Sequence, residues 1–386
     1  MDALRPARAV DLDRSVPNRA NRASQALFIT NPVFREPAFG AHHPLAIRRH
    51  ASVLDLCGHL GWLDGDRLET CPLAGRAELE AFHTPAYLDA FAEACASGRA
   101  TRAVRERFGL GSRENPLFPG LHDRAAATVG GAILAARRAL AGRIAYHPAG
   151  GTHHGRPDRA SGFCYFNDPV FAILTLLDAG VARVLYADLD AHHGDGVEDA
   201  FATDDRVLTL SVHERDRWPF TGAADGNGAR ICNLPVPAGF NDTELAFLMD
   251  AAVLPRATRF APEAVVVTCG TDALAGDPLS RLALSNGALW EAVLALAGLA
   301  GAAVVLGGGG YNPWTVARCW SGLWGRRAGH ATPATLPAEA TQMLASLACD
   351  LVDDEAVDPH WLTTLEDARN EGAVRAEIEA LARAVG

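Results

Sequence analysis

Six short apolar runs, most of them rich in β-branched residues, recur along the chain with helix-like patterns between most of them: ALFIT (26–30), RIAYH (143–147), ARVLYADL (182–189), RVLTLSV (206–212), EAVVVTC (263–269) and AAVVLG (302–307). A strand that is apolar throughout has no face for water, so it is buried on both sides, and strands that alternate with helices run parallel beneath them. The expectation is an α/β fold: a single domain over residues 25–386 built on a mostly parallel multi-stranded sheet with helices on both faces. DPVFAILTLLDAG shows the pattern in miniature, with Asp168 as the expected N-cap, Pro169 at the first helical position and Gly180 at a left-handed C-terminus. Residues 1–24 carry arginines without apolar periodicity and read as a poorly ordered arm.

Composition removes several function classes. A net charge of −11 argues against a general nucleic-acid binder and leaves room for a basic substrate. All 35 basic residues are arginines. The 8 cysteines are scattered without a C-x-x-C pair, which points to reduced thiols rather than a disulfide framework or a cysteine zinc cage. No apolar run approaches the ~18 residues of a membrane span, and the N-terminus lacks the apolar centre of a secretion signal. These features read as a cytoplasmic protein with no membrane and no nucleic-acid partner. Its oligomeric state is left open.

In open parallel sheets ligands bind beyond the carboxyl ends of the strands. The unusual residues of this chain follow four of the apolar runs: HPAGGTHHG, ADLDAHHGDG, TCGTDALAGDP and LGGGGYN. Asp190 and His192, two apart on extended backbone, point the same way, and Asp272 offers a third donor from another strand end. Two carboxylates and an imidazole suit zinc or another divalent first-row ion and leave a position open for chemistry. His153 and His154 each need a partner to fix a tautomer, and Asp188 and Asp195 supply two. The glycines 307–310 lack the spacing of a dinucleotide loop, and a chain without lysine has no Walker lysine. Small residues there let backbone approach the cavity and present Tyr311.

Together DLDAHHGDG, GGTHHGRPDRASGFCYFND, GTDALAGDP and LGGGGYN resemble the histone deacetylase family of the arginase/deacetylase superfamily, over roughly residues 25–330. HERDRW (213–218) and NPLFPGLH (115–122) are similar to its bacterial acetoin-utilisation-type branch. The resemblance implies zinc-dependent hydrolysis of acyl-lysine amides in proteins or peptides, with Fe2+ as an alternative ion in cells. It implies Asp190, His192 and Asp272 as metal ligands, and His154 with Asp195 as general base. His153 with Asp188 becomes the electrostatic or proton-donating companion, and Tyr311 the transition-state tyrosine. It also implies an acyl-lysine tunnel walled by Phe163 and Phe220, with Trp218 at the rim and the Gly162 carbonyl facing the amide N–H. A structural potassium site would use Asp188, Asp190, His192, Ser211 and Val212.

Three positions depart from, or discriminate within, that pattern. Glu114 stands where many relatives grip the substrate backbone with aspartate. Thr152 replaces a larger apolar residue and makes the acyl pocket roomier or more polar. Leu279 stands where polyamine-selecting relatives carry a glutamate, which favours acyl-lysine. An arginase-like binuclear manganese centre lacks its ligands, because Gly194 and Leu274 occupy their places. A hydrolase of small acylated amines such as acetylpolyamines and a non-catalytic acyl-lysine-binding protein are the other readings.

Overall fold

The computed structural model describes residues 26–40, 42–63 and 65–385. The arm expected over residues 1–24 lies outside them. The strands are β1 (Ala26–Thr30), β2 (Leu68–Thr70), β3 (Ile144–His147), β4 (Val184–Asp188), β5 (Val207–Glu214), β6 (Ile231–Val236), β7 (Ala264–Thr268) and β8 (Ala302–Leu306). They form one 8-stranded sheet in the order β2-β1-β3-β8-β7-β4-β5-β6, and every neighbouring pair is parallel. The expected α/β class is therefore observed, and the apolar runs are its six inner strands. The two edge strands escape that pattern for physical reasons: β2 is three residues long and partly exposed, and β6 carries Asn233 and Pro235. Proline is tolerated at an edge, where one row of backbone groups has no partner strand.

Strand side chains alternate between two apolar layers. Val184 and Tyr186 pack with Val266, Val304 and Leu306 on one face. There they meet α2 (Leu121–Leu140), α3 (Asp168–Asp178) and α4 (Asp195–Phe201). Leu185 and Ala187 pack with Leu208, Val265, Val267 and Val305 on the other. That face is covered by α1 (Arg49–His59), α5 (Asn286–Ala297) and α6 (Pro313–Ala328).

Helix α6 follows the glycine run and braces the sheet edge that carries the site. Its Trp320, fully buried, donates its indole N–H to the Cys269 carbonyl at 2.9 Å, three residues before Asp272. Removing such a buried donor leaves an unpaired carbonyl at a cost of about 1–3 kcal/mol.

The start of α3 differs from expectation by one residue. Asn167 is the N-cap, accepting from the Val170 N–H. Asp168 is instead the first helical residue, because its carboxylate is taken by the backbone N–H groups of Gly151 (3.0 Å) and Thr152 (2.7 Å). Gly180 has φ 91°, the left-handed conformation expected after the helix. Among the described residues no helix is long and apolar enough to cross a membrane.

Candidate active site

The loops after β3, β4, β7 and β8 meet at the carboxyl edge of the sheet, where those strands are consecutive neighbours in the order β3-β8-β7-β4. One donor atom from each of Asp190, His192 and Asp272 lies within 4.8 Å of the others. All three residues are buried. His192 turns Nδ1 toward both acids, 3.2 Å from Asp190 Oδ1 and 2.9 Å from Asp272 Oδ2. The remaining carboxylate contacts fix orientation: Asp190 accepts from the backbone N–H of His192 (2.9 Å) and of Gly309 (2.5 Å), and Asp272 from that of Ala191 (3.1 Å).

Two buried acids this close repel. Burial, and then the Asp190 charge, raise Asp272 to about 6. Burial pulls His192 down, yet its hydrogen bonds to both acids and their charges outweigh that and raise it to about 10. The cluster thus calls for a cation, and its two carboxylates and one imidazole fit a divalent first-row ion.

Backbone closes around the donors at glycines. A Cβ on Gly309 would stand 2.1 Å from Asp272 Oδ2 and 2.9 Å from Asp190 Oδ2, and one on Gly270 2.3 Å from Asp190 Oδ2. A Gly309→Ala variant is therefore expected to keep its fold by circular dichroism and bind divalent metal about 10- to 100-fold more weakly, as displaced ligand-supporting groups generally do. Unchanged affinity in a metal titration would show that the loop yields.

The histidine doublet lies beside the cluster. His153 Nδ1 is 2.7 Å from Asp188 Oδ2, and His154 Nδ1 is 2.7 Å from Asp195 Oδ1. These are the two His–Asp pairs expected from the sequence. Their rings are 3.9 Å apart, too near for both to be charged. Burial and the neighbouring His153 charge lower His154 to about 3. For His153 burial acts downward but is outweighed by Asp188 and Asp190, and its pKa rises to about 9. Asp188 also accepts from the Tyr186 hydroxyl (2.6 Å), and Asp195 is further paired with Arg156.

Tyr311 is 6% exposed, with its ring 6.3 Å from His192 and 6.0 Å from Phe163. Burial, then the Asp272 and Asp190 charges, push its phenol well above 10, so it keeps its proton and remains a donor.

The expected tunnel residues divide. Phe163 is half-buried, held at φ 67°. Phe220, expected as the facing wall, is 75% exposed. Trp218, expected at the rim, stands against the histidines: its ring is 4.6 Å from His154 and 6.3 Å from His192. A Cβ on Gly162 would also strike it at 2.3 Å.

Glu114 reaches the loop that carries Phe163, its carboxylate accepting from the Gly162 N–H at 2.9 Å. The Gly162 carbonyl accepts from the Cys164 thiol at 3.2 Å. Thr152 Oγ1 lies within hydrogen-bond distance of both Asp168 Oδ1 and the Phe166 carbonyl, with one proton to give, and it borders a cavity of about 80 Å³ shared with Arg49, Phe118, Phe163 and Gly308. Leu279 is half-buried. Of the potassium set, Asp188 and Ser211 are register partners on β4 and β5, and Val212 is the next residue of β5.

Two supporting residues emerge only in three dimensions. Asp277 accepts from the backbone N–H of Tyr311 (2.8 Å) and of Leu279 (2.9 Å), clamping the two loops. It lies in the GDP that follows Asp272, so its neighbourhood is visible in sequence but its partner is not. Arg49, at the start of α1, donates to the Gly308 carbonyl and lies 5.0 Å over the Trp320 ring. No sequence signal marks it.

Fold and site together define an open parallel α/β protein with a three-donor candidate metal site flanked by two His–Asp pairs. The histone deacetylase domain family matches residues 43–326. Histone deacetylase 8 of Xenopus tropicalis is 35% identical over 299 residues, 75% of this chain and 80% of that protein. Acetoin utilization protein AcuC of Bacillus subtilis is 34% identical over 329 residues, 80% and 84% of the respective chains. A crystal structure of an HDAC homolog complexed with SAHA superposes with a TM-score of 0.90 at 34% identity, spanning 94% of this chain and 100% of that one. One from Aquifex aeolicus gives 0.89 at 33% identity, with the same 94% and 100%. The chain belongs to the histone deacetylase family.

Proposed function

We propose that this protein is a cytoplasmic, zinc-dependent deacylase of lysine side chains in proteins or peptides. The observation that carries the reading is the pair of buried 2.7 Å His–Asp contacts set beside three metal donors within 4.8 Å of one another. Asp190, His192 and Asp272 would hold a zinc ion, whose Lewis acidity would polarise an acyl carbonyl and bring the pKa of a water down toward about 7. Fe2+ suits the same donors in cells.

The remaining steps belong to the chain's own side chains. His154, neutral and oriented by Asp195, takes the proton of the attacking water. Tyr311 donates its hydroxyl to the oxygen that becomes negative as the carbonyl carbon turns tetrahedral. His153, which holds a proton below about 9, supplies one as the amine leaves. Phe163 and Trp218 give the lysine methylenes apolar surface, worth roughly 0.8 kcal/mol for each buried CH2. Asp188, with the backbone around Ser211 and Val212, suits a structural potassium ion.

The deciding assay compares an acetyl-lysine peptide with acetylputrescine on the zinc-loaded protein. Faster turnover of the peptide is expected, because Leu279 offers no charge to a free amine; preference for acetylputrescine would replace this reading with the small-amine one. The pH profile provides a second check. His153 must be protonated, so activity is lost as pH rises through its pKa, at or below about 9, and a divalent ion nearby moves that limb lower. A His153→Asn variant is expected to lack the limb; an unchanged alkaline limb there would take His153 out of proton donation.

A further inference from the structure

The histidine doublet lies on the loop between β3 and α3, and its two acids hold only one edge of each ring. Both contacts, to Asp188 and to Asp195, are made at Nδ1. Nε2, on the far edge, is left for chemistry; that of His153 lies 3.9 Å from Asp190 Oδ1, facing the metal donors. A ring held at Nδ1 can still tilt, so the aim of Nε2 is set by the backbone that carries the ring.

Two consecutive, fully buried side chains grip that backbone on either side of the doublet. Before it, the Asp168 carboxylate accepts from the N–H groups of Gly151 (3.0 Å) and Thr152 (2.7 Å). After it, the Asn167 amide donates to the carbonyls of His153 (3.1 Å) and Gly155 (2.9 Å). Buried His83 backs the clamp, with Nδ1 3.0 Å from the Arg156 carbonyl and Nε2 accepting from the Asn167 N–H at 3.4 Å. Burial lowers His83 to about 4, so the ring is neutral, with one nitrogen to donate and one to accept.

The clamp has no slack. A Cβ on Gly150 would stand 2.4 Å from Asp168 Oδ2. One on Gly196, next to Asp195 in α4, would stand 2.5 Å from the His153 carbonyl and 2.8 Å from Asn167 Nδ2. The Asn167 amide is thus wedged between the doublet and the helix that carries the partner of His154.

Resting on the lysine-deacylase reading, we propose that Asn167 and Asp168 are positioning residues, which fix the doublet so that Nε2 of His154 meets the attacking water and Nε2 of His153 the departing amine. They act through the histidines rather than on the substrate. A catalytic group on a loop owes its precision to the hydrogen bonds behind it, and a displacement of about 1 Å costs about 100-fold in rate.

A purely structural role has a different signature. Asn167 also caps α3, its Oδ1 accepting from the Val170 N–H at 3.3 Å. Asn167→Ser keeps a capping oxygen but is too short for the two carbonyls. Asp168→Asn keeps the shape and sets an amide group against a backbone N–H. Leu176→Ala is the control: it removes a buried apolar side chain about two turns further along α3 and leaves the clamp intact.

The test uses the full zinc-loaded chain and an acetyl-lysine peptide, at a temperature where every variant is folded. Asn167→Ser and Asp168→Asn are expected to retain zinc, to keep KM within about twofold and to lose kcat by about 10- to 100-fold. KM is spared because the loop of Phe163 has its own anchors, Glu114 on the Gly162 N–H and the Tyr87 hydroxyl on the Tyr165 carbonyl at 2.6 Å. Leu176→Ala should melt lower with kcat unchanged. Proton NMR adds a readout that needs no substrate: the imidazole protons shared with Asp188 and Asp195 should resonate far downfield in the parent and in Leu176→Ala, and shift or vanish in both clamp variants.

Unchanged kcat in the clamp variants, a loss confined to KM, an equal fall in Leu176→Ala, or downfield protons that stay in place would each overturn the proposal. Should Asn167→Ser not fold, the isosteric Asp168→Asn decides alone. Absence of turnover in the parent would instead remove the lysine-deacylase reading, and the resonances would still decide whether the clamp sets the doublet.

Discussion

An Asp190→Ala variant is expected to retain no stoichiometric divalent metal after dialysis and to have no measurable turnover, while its far-ultraviolet circular dichroism matches the parent. The carboxylate does three things at once. It offers a donor to the ion, it faces His192 Nδ1 at 3.2 Å, and it pins the glycine loop through the Gly309 N–H at 2.5 Å. Alanine removes the donor and releases both neighbours. The metal-free variant is also expected to melt below the metal-free parent: burial acts against the Asp190 charge, but His153 and His192 outweigh it and hold this carboxyl well below the usual range, so alanine removes a favourable charge. Elemental analysis and a melting curve on the same sample give both answers, and one equivalent of retained metal would remove Asp190 from the ligand set.

The second large effect is at Tyr311. A Tyr311→Phe variant is expected to keep its metal and its KM within a few-fold while kcat falls by about 10²–10³, the usual consequence of losing one donor to a developing oxyanion. The ring packs against Phe163 and faces His192, and phenylalanine preserves those contacts. Its backbone N–H remains on Asp277, so the loop has no reason to move. A fall confined to KM would mean that Tyr311 binds substrate without serving the transition state.

How much of this was legible beforehand follows from the kind of signal each part leaves. Strands buried on both faces advertise themselves as unbroken apolar runs, so the sheet's interior could be read and its edges, β2 and β6, could not. Residues such as Asp190 and His192 combine type, spacing and position at a strand end, and their clustering could be anticipated. Asp272, though distant in sequence, carries the same strand-end signature. Asp277 and Arg49 act through backbone groups of remote loops, Tyr311 and Gly308, and a contact with backbone leaves no mark on the partner's identity.

The position of β8 carries a further consequence. It is the last strand to leave the ribosome, yet it lies in the interior of the sheet, between β3 and β7. Without it the strand order divides into two groups, β2-β1-β3 and β7-β4-β5-β6, and β3 and β7 would each present an unpaired apolar edge of the kind that recruits other chains. This strand is the keystone: it closes both edges, and the glycine turn that ends it brings Tyr311 beside the Asp190, His192 and Asp272 cluster. Closure of the sheet interior and delivery of Tyr311 to the Asp190, His192 and Asp272 cluster therefore depend on the same strand, and a chain that stops short of residue 302 would lack both.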